Sequence, residues 1–156
     1  MTRSTAREIA VHLVFELEFQ DHDASLLLAE RLQPEFFSRL KEEEELDLYS
    51  ERPSGKQMDY IRNVVTGVQE KWLEINAHIE KYAVGWNLSR ISRLAKAAMR
   101  VAIFECLYVE DVPTGVAISE AVRLAKKYDG DDTGSFVNGI LGAFARSLTA
   151  PKEETE

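Results

Sequence analysis

The chain has 156 residues, of which 45% are hydrophobic and 29% charged, a balance that suits one globular domain with a real core and excludes a disordered chain. Its net charge of −8 argues at first against a nucleic-acid partner. No apolar run approaches the roughly 20 residues that span a bilayer, and Met1 to Leu13 lacks the apolar stretch of a signal peptide, so the chain reads as cytoplasmic with no membrane partner.

The first helix opens at Thr5-x-x-Glu8, a spacing at which each side chain satisfies the other's free backbone N–H. Its core stripe is Ala6, Ala10, Leu13, Val14 and Leu17, flanked by a second stripe of Arg7, Val11 and Phe15. The segment from Ala24 to Leu40 is amphipathic and broken at Pro34 into two short helices. Residues 41–57, with Glu42 to Glu45, Asp47, Pro53 and Gly55, read as an exposed, solvated connection. Ile61, Val64, Val65, Val68, Trp72, Ile75, Ile79 and Tyr82 then keep one face apolar, which predicts a single helix of about six turns. Gly67, next to that stripe, either lets another helix approach closely or is a tolerated helical glycine.

Trp86 to Ser89 breaks the period and offers Ser89 as a cap. From Leu94 to Val109 apolar residues appear on every side, the mark of a helix surrounded by others. Arg100 and Glu105 inside this central post need partners. Cys106, the single cysteine, lies in the same run as an inert thiol. From Pro113 to Phe144 two helices are joined by an acidic elbow. Ile118, Ala121, Val122, Ala125 and Tyr128 recur at helical spacing, Lys126 and Lys127 suit the last turn, and Gly130 stops it. Asp132 or Thr133 caps the next helix, whose inner face is Val137, Ile140, Leu141, Phe144 and Leu148. No segment reads as a strand. The prediction is an all-α protein of about seven helices: one domain over 1–150, with subdomains of roughly 1–84 and 85–150, then a disordered acidic tail at 151–156.

Catalytic patterns are scarce. His12, His22 and His78 share no motif, and no phosphate loop, nucleophile elbow or zinc motif is present. Asp129, Asp131 and Asp132 suit capping and turns better than a calcium loop, which lacks its closing glutamate. The reading is a protein that is not an enzyme and holds no cofactor or metal. Charge is unevenly spread: residues 21–57 carry −5 and 129–156 carry −4, whereas 85–128 carry +3. An anion feels the field within about 8–10 Å, so the acidic total does not exclude RNA.

Ala117 to Tyr128, AISEAVRLAKKY, followed by SFVNGIL from Ser135 to Leu141, closely resembles the C-terminal signature of the NusB family of bacterial transcription antitermination factors. Three further stretches resemble the same family: Ala6-Arg7-Glu8 in the first helix, Arg100 to Glu105 in the central post, and Asp111-Val112-Pro113 before the signature. The likeness covers the first 20 residues and about 86–142; residues 21–57 match nothing in the family and look longer than its usual connection.

The resemblance implies two small all-helical bundles packed crosswise and no catalysis. It implies pairing with NusE, also a small-subunit ribosomal protein, and joint binding of the single-stranded boxA element of nascent RNA. Delivered to the RNA polymerase antitermination complex, such a pair suppresses premature termination of ribosomal RNA synthesis. Carried over by position, Arg3 and Arg7 match RNA-binding arginines, Asp132, Ser135 and Phe136 match the RNA-contacting loop and helix start, and Phe15 falls on the NusE surface. Phe136 lies one residue off its helix's core stripe, so it either faces outwards as a stacking platform or packs near Lys126 to Tyr128.

This chain departs from the family at Ser4 and Thr5, which separate Arg3 from Ala6, at Ser135, where lysine is frequent, and at Ala95, a position acidic in some relatives. The expectation is weak RNA binding by the isolated chain, because few phosphates are neutralised. The alternative is a helical protein–protein adaptor or self-associating module without RNA binding.

Overall fold

The computed structural model describes residues 1–19, 23–43, 47–49, 51–85 and 88–149; for Leu40 to Glu43, Asp47 and Thr149 it describes the backbone alone. His22, Glu44 and Glu45, Trp86 and Asn87, and the acidic tail at 151–156 lie outside the described residues. Among the described residues there are eight α-helices and two short 3₁₀ turns, with no strand: α1 Arg3–Phe19, α2 Ala24–Arg31, α3 Pro34–Glu43, α4 Gly55–Glu70, α5 Trp72–Tyr82, α6 Arg93–Tyr108, α7 Thr114–Asp129 and α8 Asp131–Thr149, with turns at Asp47–Tyr49 and Leu88–Arg90. The all-α class read from the periods is the class observed.

α6 is the post around which the others stand, touching α1, α4, α5, α7 and α8. Its ten residues from Ala95 to Glu105, Lys96 excepted, are buried whichever way they point, which requires neighbours on all sides. α7 and α8 form a hairpin against it, α1 lies between α4 and α6, and α5 reaches α8. One hydrophobic cluster threads all of these, from Ala6 and Val14 through Val64 and Met99 to Leu141 and Phe144.

Helix boundaries depart from the sequence reading in three places. α1 begins at Arg3, one turn earlier than expected: Thr2 Oγ1 accepts the Thr5 N–H at 3.1 Å, and Glu8 turns into the protein instead of closing a capping box. The expected long helix over 61–82 is interrupted at Lys71, with no proline or glycine there to announce it. The break is tertiary in origin, because α4 packs on α1 while α5 packs on α8. Ser92, not Ser89, caps α6, accepting the Ala95 N–H at 3.0 Å; Ser89 sits inside the 3₁₀ turn. Pro34 does separate α2 from α3, as the first residue of α3, where its missing N–H costs nothing. The connection before α4 is not simply solvated, since Leu48 is buried and the Tyr49 hydroxyl lies 2.8 Å from His12 Nδ1.

Gly67 takes the close-approach option. A Cβ there would overlap the Phe104 ring, so the bare backbone of α4 is what lets α6 lie against it. Gly130 at φ +94° ends α7 with its N–H on the Lys126 carbonyl, a left-handed conformation that favours glycine.

Candidate nucleic-acid interface

The N-terminal cations occupy two different environments. Arg3, in the first turn of α1, donates Nε–H to Gln57 Oε1 at 2.9 Å and lays its guanidinium 4.2 Å over the Tyr60 ring. It lines a hollow of about 410 Å³ with Lys56, Asp59, Asn63 and Asp111. These two contacts hold Arg3 half-buried at the surface.

Arg7, one turn further on, faces inward. It is 4% exposed and donates Nε–H and Nη2–H to the two Glu105 oxygens at 2.8 and 2.9 Å, while Nη1 lies 3.5 Å from Glu120. Burial alone would lower its pKa; Glu105, Tyr60 and Glu120 more than reverse this and hold the guanidinium charged. The expectation that Arg7 reaches out to a phosphate is therefore corrected: its guanidinium is buried and held by two carboxylates across the α1–α6–α7 seam, with two hydrogen bonds to Glu105 and an ion pair with Glu120. The pair also answers the need for partners in the central post. Arg100 is met by Asn76 at 2.8 Å, by Glu18 at 3.3 Å and by the Trp72 ring at 4.2 Å.

The same seam continues outward. Glu8 accepts from Lys127 Nζ at 2.7 Å and from the Tyr128 hydroxyl, and Glu120 takes Ser4 at 2.8 Å and Arg123 at 2.9 Å. Burial would raise the Glu8 carboxyl, but Lys127 and Tyr128 bring it below the ordinary range. Arg123 and Lys127 keep 42% of their side-chain surface, yet both are already neutralised by these carboxylates.

The second candidate group stands at the start of α8. Asp131 and Asp132 are inside the first helical turn, so Asp132 does not occupy the capping position expected for it. Asp132 and Ser135 are exposed, Phe136 is half-buried, and together with Thr133, Arg90 and Ile91 they line a hollow of about 560 Å³. Phe136 packs against the core and also lines the hollow. The Lys126 stem lies on the bare Gly134 backbone and seals the elbow between α7 and α8. The structure thus gathers Asp132, Ser135 and Phe136 in one hollow and Arg3 in another; Arg7 lines neither. Sequence reasoning does not single out Arg90, whose only local signal is a cation in a broken period, or Tyr60, which stands one residue before the apolar stripe that starts at Ile61.

Phe15 is half-buried and packs edge-to-face on Phe19, their centroids 4.6 Å apart, with the Arg93 guanidinium 4.5 Å over the Phe19 ring. It lines an apolar hollow of about 370 Å³ with Leu13, Phe36, Phe37, Tyr49 and Leu94. Ala95, at the position that is acidic in some relatives, is fully buried. Cys106 is half-buried, and burial pushes its thiol up to about 11, so it stays protonated and inert. No helix among the described residues is long and apolar enough to cross a membrane.

Comparison with known proteins gives a consistent answer. The family model described as NusB family matches residues 4–146. The chain is 41% identical over 142 residues to the transcription antitermination protein NusB of Acetivibrio thermocellus, covering 91% of this chain and 87% of that one. It is 35% identical over 146 residues to the NusB of Ruminiclostridium cellulolyticum, covering 94% and 90%. Among solved structures it is similar to T. maritima NusB, with a TM-score of 0.75, 30% identity and coverage of 98% and 96%. It shares its fold with a chain from a crystal structure of antitermination factors NusB and NusE in complex with dsRNA, with a TM-score of 0.70, 22% identity and coverage of 93% and 96%.

Proposed function

Because the chain belongs to the NusB family, we propose that it acts with NusE to bind boxA-type single-stranded RNA and suppress premature termination of ribosomal RNA transcription. It does so without catalysis, as an adaptor to the RNA polymerase antitermination complex. The observation that carries the RNA side of this reading is the hollow at the start of α8. There a half-exposed aromatic ring, Phe136, stands beside Asp132, Ser135 and Arg90. An unpaired base stacked on such a ring gains about 1–3 kcal/mol. Arg3, fixed on Tyr60 with Lys56 nearby, is suited to a phosphate of the same strand. Arg7 contributes from beneath, by holding α1 to α6 and α7. Phe15 and Phe19, exposed to different degrees beside Arg93, are suited to NusE.

The two hollows hold only three cations, Arg90 in one and Arg3 with Lys56 in the other, so the chain alone neutralises few phosphates there, and NusE supplies the remaining surface. The same scarcity favours the second reading, a helical adaptor that binds protein alone. Titration of labelled boxA RNA with the chain, with and without NusE and across salt, separates the two. Binding that strengthens with NusE, with a shallow salt slope of about 0.7 per phosphate contacted, is the expected result. No RNA affinity even with NusE present would leave the protein-only adaptor.

A further inference from the structure

We propose that Arg90 and Asp132 form a base-reading pair selective for guanine, with the base stacked on Phe136; this rests on the RNA-binding reading above. The two charged groups come from distant parts of the chain yet line one hollow. Ser92 holds them together: it caps α6 immediately after the turn that bears Arg90, and its hydroxyl contacts Asp129 at the end of α7. The Leu88–Arg90 turn is thereby pinned beside the elbow that leads into Asp132. Ile91, buried, forms part of the apolar floor, and Arg90 is exposed.

The charge at this site decides what it suits. Asp131 and Asp132 share the first turn of α8 and are both exposed. The hollow itself holds one carboxylate, Asp132, and one arginine, Arg90, with Asp131 exposed on the same turn, so its charge is balanced or acidic, a poor seat for a phosphate but a good one for a neutral, polarised base. An ionised carboxylate only accepts hydrogen bonds, and a guanidinium only donates them. Guanine matches both. Its N1–H and N2–H₂ donate side by side to a carboxylate, while O6 and N7 accept from an arginine. Uracil places one donor between two acceptors, adenine and cytosine set a donor beside an acceptor, and none of them offers a carboxylate two adjacent donors.

The test uses the full chain with NusE and three labelled oligouridines, carrying one central guanosine, inosine or adenosine. Inosine lacks only the N2 amine. Guanosine is expected to bind about tenfold more tightly than inosine or adenosine, the scale of one bidentate contact. Asp132→Ala should erase the guanosine–inosine difference, and Arg90→Gln should narrow the guanosine–adenosine difference without abolishing it, because Asp132 still rejects adenine, with thermal unfolding unchanged because both side chains are exposed. Equal binding of the three oligomers, or preference undiminished in both variants, overturns the base-reading pair. If Phe136→Ala still weakens all three equally, the RNA-binding reading survives that result. Absence of binding to every oligomer and to boxA RNA overturns both.

Discussion

The Arg7 guanidinium and the Glu105 carboxylate, 98 residues apart in sequence, meet through two hydrogen bonds of 2.8 and 2.9 Å. Their side chains are 5% and 0% exposed. Such a pair contributes little relative to an apolar replacement, but breaking it strands a charge in the core. Arg7→Ala and Glu105→Ala are therefore each expected to cost about 3–5 kcal/mol, read from the denaturant midpoint. Arg7→Met combined with Glu105→Leu should recover most of that loss. A double variant that loses as much stability as the two singles added together would show that the two residues act independently. RNA affinity lost in Arg7→Glu has to be judged beside its unfolding midpoint, since the fold is expected to fail first.

Tyr60 carries the opposite imbalance. Its ring supports Arg3 at 4.2 Å, but its hydroxyl is buried and has no hydrogen-bond partner among the described residues. Burial, with the charge of Glu105 beside it, raises the phenol well above its usual pKa, so it is always protonated. Tyr60→Phe keeps the ring and removes a desolvated hydroxyl, and should stabilise the protein by about 1 kcal/mol. A higher melting temperature with RNA binding unchanged is the expected outcome. A loss of stability would mean that the hydroxyl is satisfied.

The central post was legible in the sequence because burial on all sides removes periodicity, and that absence is itself a signal. The α7–α8 hairpin was legible because Lys126, Lys127 and Gly130 mark its stop locally. The break at Lys71 was not legible, because no residue there opposes a helix; it follows from where α1 and α8 lie. The direction of Arg7 was hidden for a related reason. An arginine one position off an apolar stripe looks solvated until a carboxylate nearly a hundred residues away is placed against it. Phe136 and Asp132 were found through family likeness, whereas Arg90, which shares their hollow, has no local pattern to reveal it.

Gly67 and Gly139 both lie in helix interiors and should respond to alanine in opposite ways. At Gly139 a Cβ meets nothing within 4 Å, so Gly139→Ala should stabilise by up to about 1 kcal/mol through helix propensity. At Gly67 the Cβ collides with the Phe104 ring. Overpacking of this kind costs about 1–3 kcal/mol and outweighs the propensity gain. Gly67→Ala in a Phe104→Leu background should cost less than in the native one, because the colliding ring atoms are gone. Equal costs in the two backgrounds would place the strain elsewhere.

His12 ties pH to the same seam. Its Nδ1 and Nε2 lie 2.8 Å from the Tyr49 hydroxyl and 3.0 Å from the Tyr128 hydroxyl. Burial lowers its pKa below the usual 6.5; Glu8 opposes the shift and Lys127 adds to it. A histidine held neutral in the fold but free to take a proton when unfolded contributes stability that is complete above pH 6.5. That contribution is lost as the pH falls toward the folded value. Glu8, also lowered by its partners, adds a loss of the same sign at more acid pH, below about 4.5. The melting temperature should thus fall between pH 7 and 5, before carboxylates begin to titrate. His12→Gln, which keeps hydrogen-bonding capacity without a titrating ring, should be less stable at pH 7 and flatter over that interval. An unaltered slope in His12→Gln would assign the acid sensitivity to another group.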